Sequence, residues 1–161
     1  MVDDRFNDRA RTFSSEWRKR GQKNQALGRS KGGYSCKIHI SVDALGNPLE
    51  FVLSPGEASD CPRFSRFLTA RKPQAVLADK GYDSDKNLAA VRKLGAEAVI
   101  PPKSNRINPQ DCDYELYKER RHVECTIGFL KQYRRIFSRF DKYATHFLDF
   151  IHYAATMIWL K

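Results

Sequence analysis

The sequence predicts an α/β fold in one domain, a mixed sheet flanked by helices. Ile38, Ile40 and Val42 alternate with Lys37, His39 and Ser41, the period of two of a strand. Residues 75–78 and 98–100 are short apolar runs of the kind that fill a buried sheet. Between 114 and 160, apolar residues recur at helical spacing.

At 161 residues, 41% hydrophobic and 30% charged, the chain is long enough for one domain with a real core and too ordinary in composition for wholesale disorder. Lys and Arg outnumber Asp and Glu by 29 to 19, a net charge of +10, which favours a polyanionic partner such as nucleic acid. The first residues carry no apolar leader. The most apolar stretch, 147–160, is too short to span a bilayer and contains Asp149 and His152. The expectation is a soluble, cytoplasmic chain with no membrane partner. Cys36, Cys61, Cys112 and Cys125 form no CxxC pair, so reduced thiols are expected rather than a zinc site.

Residues 1–33 are rich in Arg, Lys, Asp, Ser and Gly and show no strand-length alternation. Residues 34–42 and 49–53 then read as an antiparallel hairpin, half-buried on its first strand and turned at 43–47 by Asp43, Gly46 and Asn47. Pro55 and Gly56 break the chain, Ser59 or Asp60 caps, and 61–70 reads as a short helix. The run 75–78 reads as a central strand buried on both faces that delivers Asp79 at its C-terminal end. Asp83 or Ser84 caps a helix over 87–94, closed by Gly95, and a second buried strand at 98–100 is stopped by Pro101 and Pro102. After a polar loop at 103–113, one long helix over 114–141 and a closing helix over 145–160 complete the chain.

The long helix holds a single carboxylate ringed by cations. At 3.6 residues per turn, Tyr117, Arg120, Arg121, Glu124, Gly128 and Lys131 fall within about 60° of the direction of Glu124. Leu116, Val123, Ile127, Leu130 and Phe137 gather on the flank and back. Taken alone, this is a solvated face with an Arg120/Glu124 ion pair one turn apart. The spacing is more telling: Y, two residues, R, three residues, E, six residues, K.

That spacing resembles the C-terminal signature of the DDE transposases of bacterial insertion sequences, in particular the group related to insertion sequence 5. Two further stretches resemble the family in the same order, ALGRSKGGYSCKIHISVDALGNPLEFVLSPGEASD at 26–60 and LADKGYDSD at 77–85, so that the likeness covers 26–161. The resemblance implies a ribonuclease-H-like core and DNA cleavage and strand transfer at insertion-sequence ends. It implies that Asp79 and Glu124 are the second and third catalytic carboxylates and ligands of Mg²⁺ or Mn²⁺. Hard divalent ions take oxygen ligands, and phosphodiester chemistry of this kind uses two of them about 4 Å apart. Without the resemblance, Asp79 reads first as a turn or capping residue. Tyr117, Arg120 and Lys131 would hold the DNA-end phosphates. Lys103 and Arg106 are loop candidates for DNA contact, with an ordinary solvated loop as the competing reading. The implied partners are DNA, both terminal repeats and target, with self-association open.

The chain departs from the family ahead of residue 26. The family's first catalytic aspartate lies on a strand resembling I-D-S-T-I-V before the hairpin, and no apolar strand surrounds Asp3 or Asp4. Given permitted codons and read one nucleotide later, 3–21 can spell M-I-D-S-T-I-V-R-A-H-S-A-A-N-G-A-K-G-G. The expectation is therefore that residues 1–25 lie outside the family domain as an out-of-frame or disordered segment and that the fold lacks its first, central strand. Such a loss would leave backbone groups unpaired on two strands and remove one of three metal ligands. A catalytically dead fragment that binds DNA or associates with a full-length transposase is the alternative to an active enzyme.

Overall fold

The structure is a computed structural model that describes residues 2–6, 25–30, 33–68 and 72–160. Its hub is β3 (Gly33–Val42), paired antiparallel along one edge with β4 (Pro48–Pro55), with Ile38 opposite Leu53 and Ile40 opposite Phe51. The turn between them is built as its residues require. The Asp43 carboxylate accepts from the backbone N–H groups of Leu45 and Asn47, and Gly46 takes the left-handed φ of 88°.

Two strands precede this hairpin where none is expected from the sequence. β1 (Val2–Phe6) runs antiparallel along the other edge of β3, Asp3 opposite His39 and Asp4 opposite Ile38, and β2 (Gly28–Ser30) pairs with the opening residues of β3. The five residues of β1 lack alternation, and an available ladder on β3 orders them in spite of it. The edge expected to be bare is thus covered on the hairpin side. On the other side, β5 (Ala75–Leu77) pairs only with β6 (Glu97–Val99), in parallel, and among the described residues no strand joins β1 to β5. The sheet is therefore split in two. β5 is half-buried rather than buried on both faces, and among the described residues it has a neighbouring strand on one edge alone.

Two hydrophobic clusters follow from the split. Ile38, Ile40 and Phe51 pack against Val123, Ile127 and Leu130 of α4 (Arg121–Lys131), Ile136 of α5 (Arg134–Phe137), and Phe147 and Ile151 of α6 (Ala144–Trp159). Phe64 of the short α1 (Phe64–Phe67), Ala78, Tyr82, Leu88 and Val91 of α2 (Asp85–Lys93) and Ile100 make the second. A polar seam joins them. The face of β3 that reads as exposed in sequence is buried: His39 is fully enclosed between the hydroxyls of Tyr82 and Ser54, each at 2.8 Å, and Lys37 donates to the Asp60 carboxylate at 2.7 Å and to the Ala58 carbonyl at 2.8 Å. Asp60 is committed to Lys37 and makes no side-chain cap.

The single long helix expected over 114–141 is broken. α3 (Tyr114–Tyr117) runs through a 3-10 turn at Lys118–Arg120 into α4, and α4 ends at Lys131. Tyr133 is extended at ψ 104°, and the chain restarts as α5. The break brings Ile136 into the core, whereas Phe137, expected on the apolar side, is left 56% exposed. No helix among the described residues is long and apolar enough to cross a membrane.

Candidate active site

Asp79 stands at the end of β5, on an extended residue that caps the 3-10 turn Lys80–Tyr82, and its carboxylate accepts from the Lys80 N–H at 2.8 Å. It is half-buried. The capping role that the sequence offers for Asp79 is thus realised, and one of its oxygens is engaged.

Glu124 projects from the first turn of α4, which continues the helical path of α3 and the 3-10 turn. Arg120 donates to it one turn back, and the two side chains are unequal in burial: Glu124 is 57% exposed and Arg120 21%. The Arg120 guanidinium also lies 5.5 Å from the Tyr117 ring centroid, so the cation is held on both sides.

Tyr117 senses the charge of both carboxylates. Burial is the largest cause that raises its phenol above the ordinary range; Arg120 opposes it, and the negative charges of Asp79 and Glu124 add to it. Two carboxylates delivered by different elements, one from a strand end and one from a helix, therefore act on a single side chain. The contact of α3 with β6 places that helix by the parallel strand pair. Lys131 lies seven residues beyond Glu124, about 10 Å along α4.

The other two sequence candidates are placed elsewhere. Lys103 and Arg106 converge on Asp83, whose side chain is 1% exposed. Its carboxylate accepts from the Lys103 N–H at 2.9 Å and from Arg106 at 2.5 Å, its carbonyl accepts from Lys103 Nζ at 2.9 Å, and Arg106 also pairs with Asp85. Their employment is to fix the 103–106 loop to the turn that follows Asp79. Sequence reasoning treats Asp83 as a cap alone, and the cap is made by Ser84, which accepts from the Asn87 N–H. Thr126 is a second residue without a sequence signal: its single hydroxyl proton lies within reach of the carbonyls of Gly46 and of His122, and donation to Gly46 docks the hairpin turn on the helix that carries Glu124.

Asp79 and Glu124 offer the hard oxygen donors a divalent cation needs, and they fit as part of a ligand set. Among the described residues, no group of three or more His, Cys, Asp or Glu side chains is arranged to hold a metal.

The sequence profile of the Transposase DDE domain matches residues 4–159. The chain belongs to the DDE transposase family. Two relatives agree. A putative transposase for insertion sequence element IS6501 from Brucella ovis is 42% identical over 129 residues, which is 79% of this chain and 99% of the relative. A putative transposase for insertion sequence element IS402 from Burkholderia cepacia is 31% identical over 120 residues, 67% of this chain and 54% of the relative. This transposase-family chain thus spans nearly all of one relative and about half of the other. No solved structure matches it.

Proposed function

We propose that this chain carries out divalent-metal-dependent phosphodiester cleavage and strand transfer on insertion-sequence DNA, with Asp79 and Glu124 as the catalytic carboxylates. The observation that carries the reading is that Asp79 ends strand β5 and Glu124 projects from α4, two separate elements, while neither carboxylate is built into a buried network. Asp79 and Glu124 would hold Mg²⁺ or Mn²⁺, which when bound activates the attacking oxygen and stabilises the leaving one. Arg120, Tyr117 and Lys131 would take the phosphates on either side, Arg120 through a guanidinium already oriented by the ring beneath it. Lys103 and Arg106 would serve the same site by holding the loop beside the Asp79 turn.

Gly128 supports the reading. It lies one turn after Glu124 in the interior of α4, exposed, and a Cβ built on it meets nothing within 4 Å. Glycine there costs helix stability and gains no packing inside the chain, which fits the close approach of a partner's backbone.

The fold we propose is ribonuclease-H-like, with the hairpin and the β5–β6 pair as its halves and β1 on the hairpin side of the central position. Membership of the insertion sequence 5 group and a cytoplasmic location are part of the same proposal. That residues 1–21 are read out of frame rests on the codon argument alone, and the nucleotide sequence through codons 1–24 decides it: a shifted frame without an I-D-S-T-like run ends the idea.

A second reading is a DNA-binding chain without catalysis, favoured by the lack of a three-ligand cluster among the described residues. A nicking assay on DNA carrying the element's ends, with Mg²⁺ or Mn²⁺, separates the two. Cleavage abolished by Asp79→Asn and by Glu124→Gln supports the enzyme, and binding without cleavage in the unmodified chain supports the alternative.

A further inference from the structure

Segment 134–143 carries aromatic rings on the outside of the molecule: Phe137 is 56%, Phe140 65% and Tyr143 48% exposed. Rings of this size contribute most when buried, so their exposure needs a reason. Here the backbone is fastened in the arrangement that exposes them. Arg139, between Phe137 and Phe140, has a φ of 30°, a left-handed conformation that a side-chain-bearing residue adopts at a cost. Its buried guanidinium donates to the carbonyl of Gln25 at 2.6 Å and of Ala26 at 3.2 Å and lies 4.9 Å from the Phe147 ring centroid. The Gln25 side chain in turn accepts from the Ala144 N–H at 2.8 Å.

Within the segment, the charge left after ion pairing is positive. Asp141, the segment's acidic residue, is 8% exposed and is gripped by the Arg135 guanidinium through both carboxylate oxygens. Arg134 and Lys142 are exposed, and Lys142 Nζ lies 5.8 Å from the Tyr143 ring centroid.

We propose that this segment is a stacking platform for unpaired DNA bases, with Phe140 at its centre and Arg134 and Lys142 on the flanking phosphates. Single strands present ring faces to stack and phosphates to neutralise, and aromatic side chains interleaved with cations match both. A duplex hides its base faces, so the rings would add nothing to its binding. A second copy of this chain would bring the same positive charge against this one. The inference rests on the DNA-handling reading above and extends it: α5, which opens the aromatic segment, begins three residues after the end of the helix that carries Glu124.

The test is fluorescence anisotropy of the full chain, without metal, on a labelled oligothymidine and on a duplex of equal length. Phe140→Leu keeps an apolar side chain and removes the ring; Phe140→Trp keeps a ring. We expect Phe140→Leu to weaken single-strand binding about tenfold and duplex binding by less than about twofold, and Phe140→Trp to bind single strands as the unmodified chain does. Lys142→Ala should lower the salt dependence of single-strand binding by about one counterion. Equal losses on both DNAs, or none, overturn the platform while leaving the DNA-handling reading in place. No binding of the unmodified chain to either DNA overturns both. A dimer seen by sedimentation that Phe140→Leu dissociates would make the surface a contact between copies instead and overturn the platform.

Discussion

Asp83 and Glu124 each face an arginine, and the environments of the two pairs point to opposite uses. Asp83 is 1% exposed and Arg106 16%, and the Asp83 carboxylate also takes the Lys103 N–H. Glu124 is 57% exposed, and Arg120 is its one hydrogen-bond donor among the described residues. A charge stripped of water must have its partners supplied by the fold, and removing one leaves a penalty that nothing offsets. A carboxylate still half in water depends little on its pair and can exchange it for a metal or a reordered phosphate. Of Asp79, Asp83 and Glu124, Asp83 is therefore the structural one, and Asp79 and Glu124 are the ones left with capacity to bind.

The largest effect that contrast predicts is on stability. Asp83→Ala should destabilise the chain by about 3–5 kcal/mol in urea unfolding, by removing the buried carboxylate that Arg106 and the Lys103 N–H share and leaving Arg106 only its contacts with Asp85 and the Asn108 carbonyl. A loss below about 1 kcal/mol would mean that the buried pair does not hold the loop.

The polar seam gives the next effect, on pH. Burial is the main cause that lowers the His39 pKa to about 4, with Lys37 and Arg63 acting in the same direction and Asp60 against it. The folded state keeps His39 neutral while an unfolded chain protonates near pH 6.5, so between these values the unfolded state binds more protons. Stability is then complete above about pH 6.5, declines as pH falls towards 4 and levels off below, a contribution on the order of 3 kcal/mol. Unfolding measured at steps across that window should show the slope, and His39→Asn should flatten it.

A smaller effect carries the sharper sign. Gly128→Ala should stabilise α4 by about 1 kcal/mol and yet weaken DNA binding. Gain of stability with DNA binding unchanged would remove Gly128 from the interface. Smallest of all, Glu124→Gln should alter stability by no more than about 0.5 kcal/mol, the value of an exposed pair one turn apart.

Much of this was legible in the sequence, and what was missed has a common cause. The hairpin, the strand end at Asp79 and the capped helix after it are local patterns, and each sits where its pattern requires; the Tyr117–Lys131 spacing is local too, but a 3-10 turn at Lys118–Arg120 interrupts the helix on which it is read. Lys37 and His39 alternate with apolar residues and so imitate a solvent face. Partners distant in the chain make them interior, Asp60 and Ala58 for Lys37 and Tyr82 and Ser54 for His39. The same holds for Asp83 with Arg106, and for β1, whose strand state comes from its partner. The break after Lys131 has no proline or glycine to announce it, because it serves the packing of Ile136 and the anchoring of Arg139. For the site, the sequence supplied the residue types and their spacing. Which cations are already engaged, Lys103 and Arg106 on Asp83 and Arg120 on Glu124, needed the fold.

The most direct measurement is Mn²⁺ binding, followed by electron paramagnetic resonance, in the unmodified chain and in Asp79→Asn, Glu124→Gln and Asp83→Asn, each first checked for cooperative unfolding. If Asp79 and Glu124 form the site, the unmodified chain binds Mn²⁺ and either substitution weakens binding at least tenfold with the melting temperature held. Asp83→Asn would lower the melting temperature instead. Mn²⁺ binding that is indifferent to both Asp79 and Glu124, or a loss of fold on replacing either, would contradict the division between structural and functional carboxylates.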